Sequence, residues 1–189
     1  MKQRWALVVM GAWLMGTMCT SVVATENFYT IDRLLGRSPN SSFTIAVEQL
    51  RQPQARELLR YLSSELNRLY FQMWNLAQLV MGVLALWLVA GSTPQAPAFA
   101  RRAVRGVIAM LAIVVAMLVW LTPSIVTLGR SLDFVPRDPA PPGLQRFWVL
   151  HATYTTLEML KLIVGAAVTW WIVRSSPAGA KASPSVISH

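Results

Sequence analysis

Four runs of this chain are apolar for long enough to cross a bilayer, and that property limits the fold more than any other: Trp5 to Ala24, Tyr70 to Ala90, Val107 to Leu128 and Phe147 to Val173. A hydrocarbon core of about 30 Å takes about 20 helical residues, and within it every backbone N–H and C=O must be paired inside the segment. Helices joined by short connections meet that condition. The expected fold is therefore all-α: an integral membrane four-helix bundle, up-down-up-down, forming a single domain over residues 1–174. The composition agrees, with 54% hydrophobic and 13% charged residues in a chain of 189.

The fourth run, FWVLHATYTTLEMLKLIVGAAVTWWIVR, carries Glu158 and Lys161 near its middle. An ion at the bilayer centre costs at least about 2.5–3.5 kcal/mol, so both are expected to face protein, a water-filled cavity or a partner. Three residues apart, they share a helical face and can pair. His151 and Thr155 precede them at helical spacing and Gly165 follows as a close-approach site, so this side should face the bundle.

The formal charge of +9 raises the question of nucleic acid, but the basic residues are scattered over loops and helix ends without interleaved aromatics. No nucleic-acid partner is expected. Lys2 and Arg4, then Arg101, Arg102 and Arg105, then Arg174 and Lys181 occupy three segments free of acidic residues, whereas the other two connections mix signs. By the positive-inside rule both termini are cytoplasmic. The lone Cys19 lies within the first run, so no internal disulfide can form.

Taken in order, the N-terminus has features of a signal peptide, with Lys2, Arg4, an apolar run, and Val22 and Ala24 at cleavage-like positions. Yet Phe28, Ile31, Leu34 and Leu35 continue an apolar face as far as Gly36, so the pattern predicts one retained helix from Arg4 to Leu35. Gly11, Gly16 and Thr20 give it a stripe of small residues. After the SPNSS loop, Phe43 to Arg51 reads as a short amphipathic helix, and Pro53 suits the first turn of a helix running to Gly91. Residues 25–69 thus form an extramembrane helical hairpin. Its second arm carries Leu58, Leu62 and Leu66, expected to pack on the first helix, with docking of another subunit as the alternative. STPQAPAF is a turn, Pro123 is expected to kink the third span, and residues 175–189, including His189, read as a disordered cytoplasmic tail.

Depth is the informative coordinate for chemistry. Counting inward at about 1.5 Å per residue, Thr20, Ser21, Gln72, Asn75, Gln78, Thr122, Ser124, His151, Thr155 and Glu158 all fall in the outer half of the bilayer. The inner half is nearly all aliphatic, Met and Trp. This pattern predicts a polar pocket open to the outside and closed toward the cytoplasm, with Glu158, Lys161, His151, Thr155, Asn75, Gln78 and Thr20 as its residues. Interhelical hydrogen bonding is the plainer account of the neutral members. His151 leaves open a metal, a proton or an interfacial hydrogen bond. Nine methionines and one cysteine are scattered without Met-x-x-Met spacing, which fits apolar packing better than soft-metal transport. There is no HExxH, GxSxG, P-loop or paired-cysteine motif, so neither catalysis nor a cofactor or metal is expected.

Three segments together, GTMCTSVVATENFYTIDRLLG, ARELLRYLSSELNRLYFQMWNLAQ and FWVLHATYTTLEMLKL, resemble a bacterial four-helix membrane domain of unknown function. That domain is related to a eukaryotic transmembrane protein family associated with cisplatin tolerance. The resemblance rests on Phe147 and His151 and on the Arg and Glu pattern before the second span. It implies a compact bundle in the bacterial inner membrane and carries no active-site residue. The expected function is non-enzymatic: binding or passing a small solute or ion, with the bilayer and either further copies or other membrane subunits as partners. An accessory or scaffold subunit is the alternative, and a cofactor-ligating subunit acting through His151 a third.

Overall fold

The structure is a computed structural model that describes residues 1–37, 40–92 and 97–175. Part of the first loop, the centre of the proline-containing turn, and the tail with His189 lie outside the described residues. Among those described there is no strand. The helices are α1 (Lys2–Gly36), α2 (Ser41–Leu50), α3 (Gln52–Ala90), α4 (Pro97–Ala116), α5 (Thr122–Ser131) and α6 (Leu144–Arg174), with a π-helical turn, Met117–Leu121, joining α4 to α5. Four helical stretches are long and apolar enough to cross a membrane: α1, α3, α4 through α5, and α6.

Local chemistry accounts for most of the boundaries. Asn40 caps α2 by accepting from the Phe43 N–H at 3.1 Å, and Pro53 occupies the first turn of α3, where a missing N–H costs nothing. The break expected at Pro123 takes the form of the π turn immediately before it, while the Ser124 hydroxyl donates to the Trp120 carbonyl at 2.7 Å. A proline removes one backbone donor, and the wider turn redistributes the bonds around it.

Contacts between ends set the arrangement of the long helices. The start of α1 meets the ends of α3 and α6: Lys2 lies 4.9 Å from the Trp87 ring, and Gln3 Nε2 donates to the Ile172 carbonyl at 2.6 Å. The far end of α1 meets the start of α3. There Asn67 Nδ2 donates to the Ala24 carbonyl at 2.9 Å, Asn27 Nδ2 donates to Asn67 Oδ1 at 2.7 Å, and Arg56 pairs with Asp32 at 2.6 Å. Polar groups therefore join the end of α1 to the start of α3. The leucine stripe expected to do so points away: Leu58 and Leu62 are 48% and 55% exposed, and Leu66 is half-buried. The cause is geometric. Ser63 and Asn67 occupy the arc facing α1, where they reach its side chains and carbonyls, and the leucines fall outside that arc.

The interior is tightest toward the end where Lys2, Arg105 and Arg174 gather. Met10, Trp13, Val107, Met110, Val114 and Val168 are almost wholly buried there. Gly16 and Gly165 allow this closeness, because a Cβ on the first would strike the Trp74 ring and one on the second the Leu14 side chain. Gly11, part of the same predicted stripe, faces open space instead.

Candidate functional site

The charge pair of α6 closes on itself and on α3. Lys161 Nζ donates to Glu158 Oε1 at 2.9 Å and to Gln78 Oε1 at 2.5 Å, and the two charged residues are only 2% and 6% exposed. Gln78 is held at both ends of its amide: Oε1 also accepts from Trp13 Nε1 at 2.9 Å, while Nε2 donates to Glu158 Oε1 at 3.3 Å. Ammonium and indole are donors only, so the carbonyl must face them and the NH₂ the carboxylate. Asn75, buried three residues earlier, extends the network. Its Nδ2 donates to Thr122 Oγ1 at 2.8 Å and its Oδ1 accepts the Tyr154 hydroxyl at 3.3 Å. Trp13, Gln78, Thr122 and Glu158 belong to α1, α3, α5 and α6, so one network ties together the four apolar stretches. Glu158 Oε2 is buried and has no hydrogen-bond partner among the described residues.

Beyond the network, away from the apolar plug, a cavity of about 100 Å³ opens. Thr122 and Tyr154 form its floor, Phe28, Phe71, Ile125 and Phe147 its walls, and Asn67, Arg68, Asp133, Arg137 and His151 its rim. Arg68 Nη2 donates to both Asp133 oxygens, at 3.0 and 2.9 Å, and Arg68 also pairs with Glu65, which in turn lies 3.6 Å from Arg130. Gly129 lets this rim close over α5, since a Cβ there would come within 3.3 Å of both Arg68 and the Phe147 ring. Slight burial opposes ionisation of Glu65, but Arg68 and then Arg130 outweigh it and hold the carboxyl below its ordinary value. Burial, then repulsion from Arg60, lowers the Arg137 guanidinium below its usual range; it remains cationic at neutral pH. The rim thus brings two cations and one carboxylate to the cavity.

The structure sorts the residues singled out in the sequence. Glu158, Lys161, Asn75 and Gln78 meet in the network, and His151 reaches the cavity, its ring stacked on Phe147 at 6.0 Å and edge-on to Trp148 at 6.1 Å. Thr155 does not join them: it is exposed and its hydroxyl donates to the His151 carbonyl of its own helix at 3.1 Å. Thr20 lies in a shallow groove between α1 and α3, beside Cys19 and Met73. Both fall outside the buried arcs of their helices. On α6 that arc runs through Tyr154, Glu158, Lys161 and Gly165, at spacings of four, three and four, a pattern that could have singled out Tyr154 in place of Thr155. Trp13 meeting Gln78 and Arg68 meeting Asp133 carried no comparable signal, because those partners are distant in sequence. No group of three metal-binding side chains occurs among the described residues.

Fold and site together define a class: an all-helical chain with four apolar helical stretches suited to a multi-pass membrane protein, clasping a buried charged network beneath a polar-rimmed cavity. No family model matches this chain, and neither a curated protein nor a solved structure does.

Proposed function

We propose that this chain is a non-enzymatic, multi-pass protein of a bacterial inner membrane, related to the four-helix domain it resembles, that binds a small amphiphilic solute presented from outside. The cavity carries this reading: aromatic and aliphatic walls lead to a rim where Arg68 and Arg137 outnumber Asp133. Such a site suits a solute with a short apolar body and an anionic head. Tyr154 links its floor to the network, so occupancy bears directly on the bonds that tie the helices together. Binding fits better than conduction, because the layer of Met10, Trp13, Met110 and Val168 plugs the other end.

The orientation belongs to the same reading. Lys2, Arg102 and Arg174, each against an aromatic ring, mark the cytoplasmic surface, with both termini inside and the helices running up-down-up-down. The test uses protein purified in mild detergent and followed by thermal unfolding with hexanoate, hexylamine or hexanol added. Hexanoate should raise the midpoint most, and Arg137→Glu should abolish the difference. Equal shifts from all three compounds, or none from any, would sink the proposal.

A further inference from the structure

A second feature of α3 stands apart from the cavity. Leu62, Leu69, Leu76 and Val83 recur every seven residues, and Leu66, Met73, Val80 and Trp87 follow each of them by four. This is an unbroken a/d heptad pattern over more than three repeats, with a 3.5-residue period that suits a helix alongside. Within the chain α1 only borders the stripe, at Met73 and Trp87, and leaves most of its surface uncovered. Apart from half-buried Leu66, these side chains are between 49% and 62% exposed.

Lipid accounts for only part of the stripe. With Trp87 and Lys2 at the inner surface, a hydrocarbon core of about 30 Å, or about 20 helical residues, ends near Asn67. Leu62 and Leu66 therefore stand beyond it, in the company of Arg60, Ser63, Ser64 and Glu65, and the seam continues through the boundary without losing register. A face made only for lipid has no reason to extend into water or to keep a seven-residue period there.

We propose that this seam is a homodimer interface in which α3 packs in parallel on α3 of a second copy. Two copies inserted in the same direction can be related only by a two-fold axis along the membrane normal, which places the two α3 helices parallel and in register. The seam is suited to meeting itself, since none of its positions is charged. Of the ions beside it, Glu65 is engaged by Arg68 of its own chain, and Lys2 lies against the Trp87 ring at the inner end. Seven large side chains with about half their surface free would bury on the order of 1,400 Å² over both copies, the size of a specific interface. The period sets a left-handed crossing near 20°, common to soluble coiled coils and membrane bundles.

Cysteine cross-linking of the full chain in native membranes tests this, starting from Cys19→Ser because Cys19 is exposed. Single cysteines replace Leu62, Leu69 or Val83 on the seam, or Val22 on α1 and Val149 on α6, which are as exposed but off it. Mild oxidation should give disulfide-linked dimers of the three seam variants at least tenfold faster than of the two controls. Equal rates, or cross-linking of Leu62→Cys to a different polypeptide, would overturn the proposal. As a second readout, Leu62→Glu with Leu69→Glu should halve the mass of the detergent-solubilised particle while its helical circular dichroism is retained. A dimer that persists with that variant places the interface elsewhere, and if the variant fails to fold, the cross-linking rates alone decide.

Discussion

Glu158 with Lys161 in the interior and Arg68 with Asp133 and Glu65 at the rim are ion clusters of similar chemistry in unlike surroundings. The interior pair is sealed from solvent and met by neutral groups: Gln78 bonds both ions, Trp13 holds Gln78, and Asn75 and Thr122 extend the network, while Glu158 Oε2 has no partner among the described residues. The rim cluster recruits further ions instead, Arg130 on one side and Arg137 nearby, and Glu65 keeps a third of its side chain exposed. An ion removed from water depends on such partners, because an unmatched one keeps its full desolvation penalty. An ion at the edge can lean on solvent. The cavity lies between these regimes, with a floor tied to the first and a rim made from the second.

The largest effect should come from breaking the interior. Lys161→Met or Glu158→Leu alone leaves a buried charge without its counter-ion and should cost about 3–5 kcal/mol in detergent unfolding followed by tryptophan fluorescence. Making both changes together should cost clearly less than the sum of the two.

The exchange Glu158→Lys with Lys161→Glu sharpens the same point. It should recover much of the loss of either single change, since the Gln78 amide can rotate to offer oxygen and nitrogen the other way round. Rotation would set two donors, Gln78 Nε2 and Trp13 Nε1, against each other, so adding Trp13→Phe should recover more. Equal stability with and without that third change would show that Gln78 does not turn.

At the rim, Arg68→Ala should cost about 1.5–3 kcal/mol, as for the loss of hydrogen bonds between charged groups. It should also weaken hexanoate binding, which no single change at Arg56 should do. A Glu65 carboxyl held below its ordinary value adds stability that is complete above that value and is lost as pH falls through the lowered one. Unfolding midpoints measured from pH 6 down to pH 3 should fall, and Glu65→Gln should flatten the part of the curve below pH 4.5. The smallest effect belongs to the exposed Arg56–Asp32 pair: Arg56→Ala should change stability by less than about 1 kcal/mol, a difference that 0.5 M salt erases.

By itself the sequence determined the elements and the chemistry most in need of shelter. Pro53 and Gly36 placed the start of α3 and the end of α1 within a residue, because capping is local, whereas the third span begins at Pro97, ten residues before its apolar run. Glu158 and Lys161 announced themselves because a charge inside an apolar run has few stable solutions, and a spacing of three allows them to meet. What only the tertiary structure decided is which arc of each helix turns inward. A rotation of one residue is 100°, enough to send Thr155 outward and Tyr154 to the cavity floor, and to leave Leu58 and Leu62 bare while Ser63 and Asn67 bind α1. Arg68 finding Asp133, sixty-five residues along the chain, and Trp13 finding Gln78 at the same separation, depend on how the helices pack, which no local pattern encodes.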